Sequence, residues 1–351
     1  MTPPLFRDWL ARKLPGGSSV ESLALIAGDA SPRQYFRLVF RAAAESLPQT
    51  RIGVVSPASE KNDEFIAVRA LLESVAIRVP KLYALDLEQG FLMLEDLGDT
   101  LLLSVLNDNT RDEWYRRGME VLLKQVAIQP STTSLPEYSR SLLQQELDLF
   151  PAWFLQKLLG YEGTGINTAF AALSSCLLKN AQEQPQVVVH RDFHSRNLMC
   201  VDSDQLGVID FQDAVIGPVT YDAVSLLKDC YIHWPRQVQC EWLARFQQEL
   251  EKQGTIAPVD PRVFVKWYDL MGIQRHLKVL GIFARLALRD AKPGYLEDLP
   301  LVLAYLEDAL RRYSQSDAAL GQFQACFEDK ILPLCRRQSW YRTVVLEAAT
   351  P

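Results

Sequence analysis

The chain has 351 residues, of which 48% are hydrophobic and 23% charged, and its formal net charge is −6. This length can bury a large core and favours two lobes or domains, while the acidic balance offers no overall basic face to a nucleic-acid duplex. The six cysteines include no pair within three residues, which excludes a CxxC metal or redox motif, and their apolar neighbours suit reduced core thiols.

Charges within the first fifteen residues make the N-terminus read as a short amphipathic helix rather than a signal peptide. No apolar run approaches the ~20 residues that span a bilayer, so a cytoplasmic protein without a membrane partner is expected. Residues 22–27, 34–40 and 52–56 read as strands, the first two flanking the turn-forming run Gly28-Asp29-Ala30-Ser31-Pro32-Arg33. In residues 63–75, Phe65, Val68, Leu71, Leu72 and Val75 share one helical face. Strands at 82–86 and 91–94 complete a small antiparallel sheet. The run Glu95-Asp96-Leu97-Gly98 leaves the last strand, contains a glycine and precedes helical texture. It is the expected hinge between an N-terminal lobe, 1–95, and a helical C-terminal lobe, 96–351, in an α+β chain.

Helices are expected at 111–128, 142–159 and 167–181, then short apolar runs at 187–189, 198–201 and 206–209, then helices from 221 onward. The stretch 263–288 reads as a long amphipathic helix, basic on its polar side. On it Arg275, Lys278 and Arg285 recur at helical spacing, forming either a solvated face or a clamp for an anionic or polyhydroxylated acceptor. Gly272 and Gly281 would permit close approach of a helix or substrate.

The chemistry concentrates in His190-Arg191-Asp192-Phe193-His194-Ser195-Arg196-Asn197 and in Val208-Ile209-Asp210-Phe211. An Asp, an Asn five residues on and a second Asp thirteen beyond that form the spacing of a phosphoryl-transfer site. Asp192 follows an apolar strand and is the candidate acceptor of a hydroxyl proton. Asn197 and Asp210 offer a neutral and a charged oxygen to Mg²⁺. His190 is expected to brace the loop by hydrogen bonding to its backbone. The Gly28–Arg33 run, with Ser31 and Arg33, is a candidate phosphate-binding turn. Asp222, at the start of a helix, is expected to cap it and to support the loop.

With these residues placed, the chain resembles the aminoglycoside-phosphotransferase-like branch of the protein-kinase-like fold, over roughly residues 20–315. HRDFHSRNLM, IDFQDA and GPVTYD carry the resemblance. Within that branch, AGDASPRQYFRL and MGIQRHLKVLGIFARL bring it nearest to the bacterial anomeric N-acetylmuramate/N-acetylglucosamine kinases. The resemblance implies a bilobal, ATP- and Mg²⁺-dependent kinase acting on an amino-sugar; a monomer with no obligate protein partner is expected. Phosphate would go from ATP to the C1 hydroxyl, on a route from peptidoglycan to a UDP-sugar. It also implies Asp192 as base, Asn197 and Asp210 as metal ligands, and Ser31, Arg33, Glu95 and Leu97 as nucleotide-binding residues. Arg275, Lys278 and Arg285 would face the acceptor.

The third strand, however, lacks the lysine that kinases of this kind use to grip phosphates, leaving Arg33, Arg37 or Arg51 to supply the charge. A nucleotide-sensing protein without catalysis is therefore a second reading, although both Asp192 and Asp210 are present. A kinase of aminoglycosides is another. Those polycations call for an acidic site, and the basic 275–285 face argues against them. A protein kinase is disfavoured because Gly217 follows seven positions after Asp210, too soon for a long activation loop.

Overall fold

The computed structural model describes residues 4–26, 32–41, 49–201 and 205–346. In chain order the elements begin α1 (Pro4–Lys13), β1 (Ser19–Ile26), β2 (Gln34–Arg41), β3 (Gln49–Val55), α2 (Asn62–Ser74), β4 (Leu82–Asp86), β5 (Phe91–Glu95) and α3 (Leu102–Val105). There follow α4 (Arg111–Val126), α5 (Arg140–Leu147), α6 (Asn167–Glu183), β6 (Gln186–Val189), β7 (Leu198–Cys200), β8 (Leu206–Val208), β9 (Val215–Pro218), α7 (Tyr221–Leu227) and α8 (Arg236–Lys252). The chain closes with α9 (Pro261–Leu288), α10 (Leu299–Tyr313), α11 (Ala318–Cys326) and α12 (Leu332–Cys335). Tertiary contacts divide it into two units, Met1–Ser104 with Asn197–Asp213, and Val105–Arg196 with Ala214–Pro351.

The first unit is built on an antiparallel sheet of order β1-β2-β3-β5-β4. Period-two alternation sends Phe36, Leu38 and Phe40 of β2 to one face, where they meet Phe6, Trp9 and Leu10 of α1 and Phe91 and Met93 of β5. Gly53 of β3 lies under this helix: a Cβ there would stand 2.8 Å from the Phe6 ring, so a side chain has no room. On α2, Phe65, Val68 and Leu72 are buried, as the sequence periodicity requires. The antiparallel ribbon β7–β8 also belongs to this unit and is fastened by the Val208 N–H, which donates to the Arg78 carbonyl at 2.8 Å. The loop that carries Ser31 lies outside the described residues.

The second unit is mainly helical. The segment expected as one helix at 142–159 is α5 followed by a π-helical stretch, Phe150–Leu158. Pro151 lies within that stretch and has no N–H for the ordinary helical ladder. Strand β9, which contains Gly217 and Pro218, pairs antiparallel with β6 in the register Val189↔Val215.

The largest departure from the sequence expectation is α9. It is not a surface helix with a solvated basic side, because residues 268–281 are all buried. It packs against α6, α7, α8, α10 and the π-helical stretch, and its charged groups find partners inside. Asp269, for example, accepts from Lys228 at 2.8 Å, from Arg236 at 2.5 Å and from Tyr313 at 2.9 Å. At Gly281 the approach is closest, since a Cβ would lie 2.5 Å from the Leu149 backbone. No helix among the described residues is long and apolar enough to cross a membrane.

Candidate active site

Strand β6 delivers the loop 190–196 to the second unit, and Asp222 at the start of α7 pins its first turn. The buried Asp222 carboxylate accepts the backbone N–H of His190 at 2.6 Å and of Arg191 at 3.0 Å, with the Gln125 amide at 2.7 Å. Burial pushes this carboxyl upward, partly offset by His190 and by those hydrogen bonds. The His190 ring accepts the Asp192 N–H at 3.3 Å, the bracing expected from sequence. Asp229 holds the far end of the loop by accepting the Ser195 N–H at 2.9 Å. Arg191 adopts φ +76°, the left-handed region that side-chain-bearing residues rarely occupy.

Asp192 keeps 39% of its side-chain surface open. Its surroundings carry a high density of charge. Arg275, only 2% exposed, donates to the Arg191 carbonyl at 2.7 Å and stands 3.5 Å from Asp192 Oδ1. Lys278 Nζ lies 3.2 Å from buried Glu146 and donates to the Tyr221 hydroxyl at 3.1 Å. Glu146 also accepts from Arg191 and from the Tyr138 hydroxyl. Burial by itself raises the Asp192 carboxyl, but Lys278, then Arg275, His194 and Arg191 outweigh it and hold it well below the usual carboxylate range.

Of the basic positions anticipated on α9, the structure brings Arg275 and Lys278 to the Asp192 loop. Arg285 lies ten residues beyond Arg275, about 15 Å along the axis. It is half-buried, and its charged neighbours are Arg289 and Asp290. Glu146, Tyr138 and Tyr221 were not singled out from sequence. A signal for Glu146 exists in hindsight: it is a charge set between Leu143 and Leu147 on the buried side of α5.

In the first unit, the ribbon register explains why two residues thirteen apart become neighbours. Leu198 pairs with Val208, so the residues flanking the ribbon ends stand opposite one another, and the Ile209 N–H donates to the Asn197 carbonyl at 3.1 Å. Asn197 Nδ2 then lies 3.4 Å from Asp210 Oδ2, and Gln212 Nε2 donates to Asp210 Oδ1 at 2.8 Å. Asp210 has φ +62°. Beside it Phe211 is fully buried and stacks on Phe65 of α2 at 4.9 Å. One carboxylate and one amide oxygen, supplemented by substrate phosphates, form a donor set that fits Mg²⁺. Among the described residues no group of three or more His, Cys, Asp and Glu could hold a metal by itself.

The cations of the sheet have separate settings. Arg33, 5% exposed, donates to Ser56 Oγ at 2.9 Å and to the Lys61 carbonyl at 3.1 Å, and lines a small cavity with Tyr35, Val54, Phe65, Leu92 and Leu94. Arg37 is committed to Asp96 at 2.7 Å and Asp99 at 2.8 Å, and Arg51 lies over the Tyr83 ring at 4.0 Å. Lys61, beyond the third strand, contacts Asp213 at 2.6 Å. At the expected hinge, Glu95 binds Arg78 through two 2.6 Å hydrogen bonds, and Leu97 is buried against Gly207 of β8.

N-acetylmuramate/N-acetylglucosamine kinase of Pseudomonas putida is 39% identical over 322 residues, covering 92% of this chain and 91% of that protein. The protein of the same name from Pseudomonas aeruginosa is 39% identical over 326 residues, covering 90% and 94%. That of Neisseria meningitidis serogroup B is 34% identical, covering 88% and 91%. Among solved structures, ADP-bound aminoglycoside phosphotransferase APH(2'')-Ib aligns at a TM-score of 0.57 and 13% identity, covering 88% of this chain and 99% of that one. Choline kinase LicA from Streptococcus pneumoniae aligns at a TM-score of 0.58 and 13% identity, covering 90% and 98%. These two likenesses show a protein-kinase-like fold. The APH family pattern matches residues 22–262, and the chain belongs to this phosphotransferase enzyme family.

Proposed function

We propose that this protein is an ATP-dependent kinase that phosphorylates the anomeric C1 hydroxyl of N-acetylmuramate, N-acetylglucosamine or both, in the recycling of peptidoglycan toward a UDP-sugar. The observation that carries the acceptor is the near-full-length likeness to kinases named for these two sugars. The phosphoryl-transfer part is supported independently by the Asp192 loop and by the Asn197–Asp210 pair.

In this reading Asp192 orients the acceptor hydroxyl and takes its proton. The sugar oxygen bonds to the γ-phosphorus, the bond from that phosphorus to the β,γ-bridging oxygen breaks, and ADP leaves. Asn197 and Asp210 would hold Mg²⁺, which supplies neutralisation of phosphate charge. Ser31 and Arg33 would lie toward the phosphates, Glu95 and Leu97 toward the base. The cavity that Arg33 lines supports its choice over Arg37 and Arg51.

The test is a panel of sugars with ATP and Mg²⁺, following ADP release and identifying the product by ³¹P NMR. A phosphate coupled to the anomeric proton of an amino-sugar is expected. ADP release with aminoglycosides alone, or nucleotide binding without turnover on any sugar, overturns the proposal.

A further inference from the structure

Asp192 has several charged and polar groups around it in the second unit. Arg191 and His194 come from its own loop, Arg275 and Lys278 from α9, and the Tyr221 hydroxyl from α7. Glu146 of α5 is shared between Arg191 and Lys278, so Arg191, Arg275 and Lys278 outnumber the two carboxylates of Glu146 and Asp192. Within it Arg275 occupies a particular place. Its Nη1 reaches both the carbonyl of Arg191, whose backbone is left-handed, and the carboxylate of Asp192. The same nitrogen lies 3.5 Å from the Tyr221 hydroxyl, which Lys278 also contacts. A guanidinium this enclosed is poorly disposed to close on an incoming sugar. It is well disposed to fix the loop.

We propose that Arg275 is a positioning residue for phosphoryl transfer, holding the left-handed turn at Arg191 and the Asp192 carboxylate in the orientation that meets the acceptor hydroxyl. The inference rests on the assignment of Asp192 as proton acceptor. It extends to the class of acceptor. A carboxylate crowded by cations is a weak base, and a weak base is matched to an acidic hydroxyl. The hemiacetal hydroxyl at C1 is the most acidic hydroxyl of a pyranose, so this setting favours it over the primary and secondary alcohols of the same sugar.

The experiment compares wild type, Arg275→Gln and Arg275→Lys by steady-state kinetics against sugar and ATP, with pH profiles of kcat and circular dichroism as a folding control. For Arg275→Gln, kcat is expected to fall at least about tenfold while both KM values stay within about threefold. Its acid limb is expected to move to higher pH, because the Asp192 carboxylate has lost a facing cation. Arg275→Lys keeps the charge on a shorter side chain without the planar guanidinium, so it should restore the acid limb and only part of kcat. A tenfold rise in sugar KM at unchanged kcat would make Arg275 an acceptor clamp and overturn the proposal. Wild-type kinetics in both variants would overturn it equally. If Arg275→Gln does not fold, Arg275→Lys decides by the same split of kcat from KM. Wild type that forms no sugar 1-phosphate defeats the proposed function itself, whereas active wild type with indifferent variants defeats only the positioning role.

Discussion

Asp192 and Asp210 are both carboxylates at the ends of short apolar runs, yet their settings differ. Asp192 stands among Lys278, Arg275, His194 and Arg191, whereas Asp210 is exposed and accepts from two side-chain amides. The two should therefore fail differently when neutralised. Asp192→Asn is expected to lower kcat by about 10²–10⁴-fold with ATP affinity nearly intact. A variant retaining more than about a tenth of wild-type kcat would exclude Asp192 as base. Asp210→Ala is expected to abolish Mg²⁺-dependent nucleotide binding, and unchanged affinity by titration calorimetry would remove it from the metal site. The identity and spacing of these residues were legible in the sequence because phosphoryl transfer restricts residue type. Glu146 and the enclosure of Arg275 were not, because a charge is buried or solvated according to partners more than eighty positions away, as Arg191 is from Arg275.

At the scale of elements, Asp222 is the fastening between α7 and the loop that follows β6. Its carboxylate satisfies two backbone N–H groups and one buried amide. Asp222→Ala removes the carboxylate acceptor of the two backbone N–H groups, at about 1–3 kcal/mol per group before relaxation, while the Gln125 amide keeps the Val188 carbonyl. A total loss of about 3–5 kcal/mol is expected, seen as a lower urea midpoint with an unchanged m-value. Asp222→Asn, which keeps one acceptor oxygen, should lose less. The strands of the sheet, α2 and α4 were readable from local periodicity, since each has one apolar face. The π-helical stretch and β9 were not. The first depends on Pro151 within a packed helix, the second on a register set by β6.

At the scale of the whole molecule, the buried middle of α9 ties stability to pH. His276 donates from Nε2 to the Lys228 carbonyl at 3.2 Å in its neutral form, and its ring stacks on Tyr305 at 5.0 Å. Burial, then Lys228, pushes its pKa down to about 3. The unfolded chain, with its imidazole near about 6.5, binds one more proton below that pH, so stability falls as the pH drops from about 6.5 toward 3. Between pH 6.5 and 4.5 this amounts to roughly 2–3 kcal/mol. Asp298, which burial raises to about 6, acts with the opposite sign: its contribution is present below the unfolded carboxyl range and is lost as pH rises through 6. Asp269 and Glu146, held below their ordinary values despite burial, lose their contributions only at lower pH. Urea midpoints of wild type and His276→Gln across pH 4.5–7 should diverge, the variant showing the shallower fall on acidification. Parallel curves would show that His276 is not a source of the acid sensitivity.

The sequence by itself determined most local elements, through the segments that must hide one apolar face, and it supplied the candidates for moving a proton or holding a cation. Only the tertiary structure decided the standing of α9. Its basic positions suit a solvated or substrate-facing surface when taken along the helix, because periodicity registers the direction of side chains and not what surrounds them. Packed on several sides, Arg275 and Lys278 lie beside Asp192 and Glu146, where low exposure makes each charge depend on its neighbours, whereas Arg285 stands apart from them.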